Sequence, residues 1–189
     1  NYGSDAEVTQ ILNSIDLWIS PMDNPDGTFY GSENSSSVSN SRRANSQGID
    51  LNRSFRKVPY GGYSFGSNIP EVVVMEDFAD NHNFVLSANF HGGTEVVNYP
   101  FDFASTSNGG RHADNDWWVY VSNQYADTCQ AQDENYFVFE YSSGITQGGN
   151  WYVIDGSRQD YMNYYKNCRE VTLEISVDKQ LSTNRLNDY

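Results

Sequence analysis

The sequence is short of positive charge, of sulfur and of long apolar runs. Against 25 Asp and Glu stand only 11 Lys and Arg, a formal net charge of −14. Binding to a phosphate backbone depends on Lys and Arg displacing counterions, so this balance argues against nucleic acid as a partner. No apolar run approaches the length of a bilayer-spanning helix. The first residues carry no basic stretch followed by an apolar one. Histidine and cysteine are scarce too, three and two residues, with no Cys-x-x-Cys pair and no His at zinc-finger spacing. Cys129 and Cys168 read either as two buried free thiols or as one long-range disulfide. An acidic, Asn- and Ser-rich chain suits an exported protein, and export favours the disulfide.

What is present is enough for a packed core. Of 189 residues, 38% are hydrophobic and 15% aromatic, which excludes the composition of a disordered chain and fits one domain. The excess acid reads either as a solvated surface or as attraction for cationic substrates, and charge balance alone does not separate the two.

Val8 to Leu12 follows Asp5 and Glu7, acidic residues suited to a helix start. Ile15-Asp16-Leu17-Trp18-Ile19 alternates as a half-buried strand would, and Pro21 to Gly27 supplies turn chemistry. From Thr28 to Gly48, Ser, Asn and Gly predict a long loop. Pro70 opens a predicted helix over Glu71 to Asn81, with Val72, Met75 and Phe78 as its apolar face. Phe84 to Phe90 predicts a strand. Ala113 to Cys129 predicts a helix carrying Trp117, Trp118, Val121 and Tyr125, and Glu170 to Ser176 predicts a β-branched strand. Alternating helices and strands point to an α/β fold with a mixed, largely parallel central sheet flanked by helices. In such sheets, ligands sit at the carboxyl ends of strands.

Three groups of residues make poor structural sense and better chemical sense. Phe90-His91-Gly92-Gly93 ends a predicted strand with an imidazole and two glycines that permit close approach. His82 and His112 read as structural. Asn52 and Arg53 place an amide beside a guanidinium after Gly48-Ile49-Asp50-Leu51; Arg suits bidentate recognition of a carboxylate, and the bland alternative is a surface salt bridge to one of the many acids. Glu174 lies inside a strand, where an unpaired carboxylate is costly to bury. It is either turned to solvent or working in a cleft, and Glu170 is then the solvent-facing or paired one.

In order along the chain stand Asn24-Pro25-Asp26-Gly27, the segment from Arg43 to Phe55, Ala88 to Gly93, and Val97-Asn98-Tyr99-Pro100-Phe101-Asp102. Gly144-Ile145-Thr146, Trp151-Tyr152, Gln159-Asp160-Tyr161, Asn167-Cys168 and Thr172 to Ser176 complete the series. This series resembles the zinc metallocarboxypeptidases, in the branch of carboxypeptidases N, E, M and D, over nearly the whole chain. The resemblance implies a zinc-dependent exopeptidase that removes the C-terminal residue from peptides or proteins. His91 corresponds to the third zinc ligand. Glu174 corresponds to the general base that takes a proton from zinc-activated water and passes it to the leaving amine. Arg43, nine residues before Asn52, corresponds to the arginine that polarises the scissile carbonyl and stabilises the oxyanion. Asn52 and Arg53 correspond to the pair that holds the free C-terminal carboxylate. Tyr152 corresponds to a mobile tyrosine that closes over the bound residue, its loop loosened by glycines at 144, 148 and 149. Asp102 and Gln159 match positions lining a side-chain pocket that favours C-terminal Arg or Lys. The bland alternative is that Asp102 caps a turn after Pro100. Cys168 falls at an Asn-Cys position that often carries a disulfide. The shortage of lysine and the abundance of Asn, Ser and Asp point to a secreted, periplasmic or extracellular location.

One departure is large. The family's first two zinc ligands come from a His-x-x-Glu motif, and none occurs in this chain. The resemblance therefore implies that residues 1–189 are a partial catalytic domain, incomplete at both ends, with two further ligands upstream and the chain by itself inactive. The alternative is a non-catalytic module that binds peptide C-termini. Less favoured are a cell-wall peptidase of the same superfamily and a two-carboxylate glycosidase.

Overall fold

The structure is a computed structural model that describes residues 2–60 and 68–180. Asn1 and the closing residues Asn187 to Tyr189, where the partial-domain expectation places its two cuts, lie outside the described residues. The chain forms two compact units, Asn1–Gln47 and Gly48–Tyr189.

In the first unit, α1 (Ala6–Ser14) is capped by Asp5, whose carboxylate accepts the Val8 N–H at 3.0 Å. The short α2 (Pro25–Thr28) has Pro25 in its first turn and Asn24 as cap. The Asn24 Oδ1 accepts the Gly27 N–H at 3.0 Å, and its Nδ2 donates to the Arg43 carbonyl at 2.9 Å. The Asn-Pro-Asp-Gly turn thereby pins the backbone of residue 43. The strand expected over Ile15 to Ile19 does not form, and Leu17, Trp18 and Ile19 are 59%, 57% and 76% exposed. Alternation marks a strand only where one face packs, and among the described residues this segment joins no ladder. The predicted loop after Thr28 holds, interrupted by one turn of 3-10 helix, Glu33–Ser35.

The second unit contains a four-stranded sheet with β1 (Leu86–His91), β2 (Thr94–Tyr99), β3 (Ile145–Gln147) and β4 (Arg169–Ser176), in the order β1-β4-β2-β3. The β1–β4 and β2–β3 pairs are parallel and β2–β4 is antiparallel, so the sheet is mixed, as expected. The helices are α3 (Pro70–Asp80), α4 (Asn115–Gln132), the short α5 (Gly148–Trp151) and α6 (Arg158–Tyr165). On α3 the inward residues are Val72, Met75 and Ala79. Phe78, expected on that face, stays partly exposed and packs at a tilt against His82 and Phe84, with ring centroids at 4.3 and 5.5 Å.

One apolar cluster joins Leu51 and Phe55 to Val72 and Ala79 of α3 and to Tyr161 and Met162 of α6. A second joins Val97 and Leu173 of the sheet to Ala126 of α4 and to Phe137. Cys168 belongs to the first cluster, Cys129 packs on the second, and both are free thiols. The expected disulfide is therefore absent. The two side chains pack in different apolar clusters, Cys168 with Leu51, Phe55 and Met162 and Cys129 against Ala126 and Phe137.

Candidate active site

Side chains two apart on a strand share a face. The register pairs Ser87 with Glu170, Asn89 with Thr172 and His91 with Glu174. One face of the β1–β4 pair is thus polar throughout, while Leu173 of β4 faces the apolar cluster on the other side. That polar face is covered: Glu170, Thr172 and Glu174 are 0%, 4% and 9% exposed. Burying such a row costs free energy unless its members are paired. Glu170 is paired, accepting from the Ser87 hydroxyl and lying 3.4 Å from the Arg158 guanidinium. Of the two alternatives for Glu170, the structure selects the paired one, and it turns Glu174 away from open solvent.

His91 ends β1 and stands level with Glu174, two residues before the end of the adjacent parallel strand β4, about 4.8 Å away in the pairing direction. Gly92 and Gly93 then carry the chain across the end of β4, because β2 pairs on the far side of that strand. The Gly93 N–H donates to the Ser176 carbonyl at 2.7 Å, and its φ of +129° is one that L side chains rarely adopt. The His-Gly-Gly sequence has a topological cause beyond room for a ligand.

Asn52 lies in a 3-10 turn, Leu51–Arg53, opened by Asp50, whose carboxylate accepts the Asn52 N–H at 3.0 Å. The Asn52 Oδ1 accepts the Arg158 N–H at 2.9 Å, which orients the amide so that its NH₂ edge is the end presented elsewhere. The Phe55 N–H donates to the Gly156 carbonyl at 3.1 Å, docking the turn on the segment that leads into α6. Gly156 has a φ of +72°, and a Cβ there would stand 2.6 Å from the Arg53 carbonyl.

Asp102 is 2% exposed, Gln159 is 0% exposed, and the two meet. The Asp102 Oδ1 accepts from Asn98 Nδ2 at 3.1 Å and Gln159 Nε2 at 3.2 Å. The Gln159 Oε1 accepts the Thr172 N–H at 2.7 Å, tying the pair to β4 two residues before Glu174. Burial raises the Asp102 pKa, against the hydrogen bonds from Ser157 and Asn98 and the positive charge of Arg53. Asp102 is therefore more than the cap of a local turn. It stands in a buried polar network that reaches Arg53 on one side and β4 on the other.

Tyr152 ends α5 in an extended conformation, 46% exposed, with its ring 4.7 Å from that of Trp151. The Trp151 indole donates to Glu140 at 3.1 Å, as does the Thr94 hydroxyl at the start of β2. The glycines expected to loosen this loop are used for close packing. Gly148 and Gly149 are buried, and a Cβ on Gly148 would overlap the Asp102 carboxylate.

The second unit thus carries His91, Glu174, Asn52, Arg53, Asp102, Gln159 and Tyr152. Arg43 belongs to the first unit, where it is exposed. His82 and His112 are structural, as expected: each ring packs on aromatic neighbours and makes a short local hydrogen bond. Sequence reasoning missed Asn98, Ser157 and Asp160. A buried carboxylate beside Gln159 was visible in Gln159-Asp160-Tyr161, but its partners lie 57 and 58 residues away.

A catalytic zinc ion takes three protein ligands and a water. Among the described residues no group of three or more His, Cys, Asp or Glu is placed to hold a metal. His91, a half-buried imidazole at a strand end, suits one donor position, and the described residues fit part of such a site only.

Residues 1–189 match the family model described as zinc carboxypeptidase. The chain is 33% identical to carboxypeptidase D of Mus musculus over 210 aligned positions, covering 100% of this chain and 14% of that protein. It is 31% identical to carboxypeptidase E of Caenorhabditis elegans, with 97% and 46% covered, and 31% identical to carboxypeptidase M of Mus musculus, with 95% and 42% covered. The chain therefore spans less than half the length of these relatives. The crystal structure of thrombin activatable fibrinolysis inhibitor superposes with a TM-score of 0.55 at 19% identity, over 70% of this chain and 34% of that one, a likeness of fold.

Proposed function

Because the chain belongs to the zinc carboxypeptidase family, we propose that it serves zinc-dependent hydrolysis of the C-terminal residue of peptides or proteins, with preference for Arg or Lys. The observation that carries this reading is the register of His91 with Glu174 on one covered polar face. When bound, zinc polarises a carbonyl and acidifies water. His91 would contribute one ligand to it, together with donors that the described residues do not supply.

The remaining roles belong to this chain's own side chains. Glu174 takes the proton of the attacking water and returns it to the leaving amine. Asn52 and Arg53 hold the terminal carboxylate, the Asn52 amide already oriented by its bond from Arg158. An internal peptide bond offers no carboxylate there, so the reaction is confined to chain ends. Arg43 stabilises the oxyanion that develops as the carbonyl is attacked. Tyr152, exposed at the end of α5, covers the bound residue and excludes water. Asp102 and Gln159 receive the side chain. A buried carboxylate with amide partners gains from a guanidinium or ammonium, and an apolar side chain would leave it unpaired. The Asn-, Ser- and Asp-rich composition supports an exported location.

The test is an assay of the protein, expressed from its full reading frame, on peptides ending in Arg, Leu and Glu, with and without a chelator. Cleavage from the C-terminus, abolished by chelation and restored by zinc, with Arg fastest, is the expected result. No cleavage, or cleavage that survives full zinc removal, overturns the proposal. The fixed Asn52 amide also favours a second reading, a module that binds C-termini without turnover. That reading requires affinity lost on amidation of the peptide and no product at any zinc concentration.

A further inference from the structure

Beneath Asp102 lies a second carboxylate that the proposed reaction does not use. Asp160, on the first turn of α6, is 2% exposed. Its Oδ1 accepts the Asp102 N–H at 2.8 Å and its Oδ2 accepts the Phe103 N–H at 2.9 Å. One carboxylate therefore closes both backbone donors of the turn that follows Pro100 and Phe101. The same turn is held from two other directions. The Ile154 N–H donates to the Asp102 carbonyl at 3.1 Å, and the Gly149 N–H donates to the Phe101 carbonyl at 2.9 Å. Asp160 is itself seated by the Ser157 hydroxyl, which accepts the Asp160 N–H at 3.2 Å.

We infer that Asp160 is a positioning residue for side-chain selection: by gripping the N–H groups of residues 102 and 103 it aims the Asp102 carboxylate at the side chain of the substrate's last residue. The inference rests on the preceding reading of Asp102. Only a carboxylate has acceptors on both of its oxygens for two parallel backbone donors. An amide in its place offers one acceptor, and its NH₂ faces the remaining N–H, so the turn must move. Placing a second acid near Asp102 is also unfavourable to both, since the two negative charges repel. The double grip on the turn is thus kept in spite of that repulsion.

The experiment compares Asp160→Asn with the unaltered full-length protein on otherwise identical peptides ending in Arg and in Leu, with melting temperature measured alongside. In the folded variant, the ratio of kcat/KM for Arg over Leu is expected to fall by about tenfold, the loss of one good charged contact, and to do so through KM for the Arg peptide. Asp160→Glu, which keeps the charge and displaces it by one methylene, is expected to lose less. An unchanged ratio in folded Asp160→Asn overturns the inference. If Asp160→Asn does not fold, Asp160→Glu is read in the same way, and failure of both to fold overturns it in favour of a purely architectural role. The arms separate this inference from the reading beneath it. If the unaltered protein does not favour Arg, the assignment of Asp102 falls. If it does and Asp160→Asn still does, only the role of Asp160 falls.

Discussion

At the scale of single residues, the site is defined by which carboxylates are paired and with what. Glu170 and Glu174 occupy the same face of β4, yet the first is tied to Ser87 and Arg158 and the second stands level with His91. Glu174→Gln should lower kcat by roughly a hundred- to ten-thousand-fold with little change in KM, because general-base catalysis supplies about that factor. Steady-state kinetics on an Arg-ending peptide measure it. Asp160 makes a different kind of prediction. Burial, and then the neighbouring charge of Asp102, raise its pKa well above the ordinary value. The folded state thus holds the proton more tightly than the unfolded chain does. The stability this contributes is fully present below the unfolded value of about 3.9 and is lost as pH rises through the higher folded value. The melting temperature of the unaltered protein should therefore fall, relative to that of Asp160→Asn, as pH is raised from about 4. Parallel curves for the two proteins would contradict the shift.

Elements set the distances that single residues cannot. The interleaving of β4 between β1 and β2 obliges the chain to cross over the end of β4 immediately after His91, and Gly92 and Gly93 are what make so short a crossing feasible. Gly93→Ala forces an L residue to a φ of +129°, whereas the Lys179 side chain beside the new Cβ is flexible and can yield. The substitution should cost about 1–3 kcal/mol of stability, read as a lower urea midpoint, and kcat should fall with it as His91 loses its level with Glu174. Gly148→Ala acts at the other end of the site. Its Cβ would overlap the Asp102 carboxylate, an overpacking worth about 1–3 kcal/mol, and it should reduce the preference for Arg over Leu in the peptide assay.

For the whole molecule the governing quantity is a net charge of −14. Its field reaches about 30 Å at 0.01 M salt and about 8 Å at physiological ionic strength. If cationic peptide ends are drawn in by that field, kcat/KM for an Arg-ending peptide should drop across this range more steeply than for a Leu-ending one. Equal slopes would assign the preference to Asp102 alone. A zinc titration of the isolated 189-residue chain belongs to this scale as well. With no group of three His, Cys, Asp or Glu placed to hold a metal among the described residues, retention should be far weaker than the tight binding typical of complete zinc sites.

Much of this was legible in the residues themselves. Helices α1, α3 and α4 and strands β1 and β4 follow local periodicity and capping, which are properties of neighbours in sequence, and they lie within a few residues of their predicted bounds. The family likewise followed from motifs in order along the chain. Other features depend on what covers a segment. Ile15 to Ile19 alternates like a strand but packs no face, and Phe78 has the spacing of the core yet sits at its rim. Cys129 and Cys168 were candidates for a bond, but they pack in different apolar clusters. The polar side of β4, which alternation alone would turn to solvent, is instead roofed by α6. Periodicity reports which residues share a face, and only tertiary packing decides which face is buried. That is why sequence could name Glu174, Asp102 and Gln159, while the register with His91 and the grip of Asp160 on the turn at Asp102 emerged only from the folded chain.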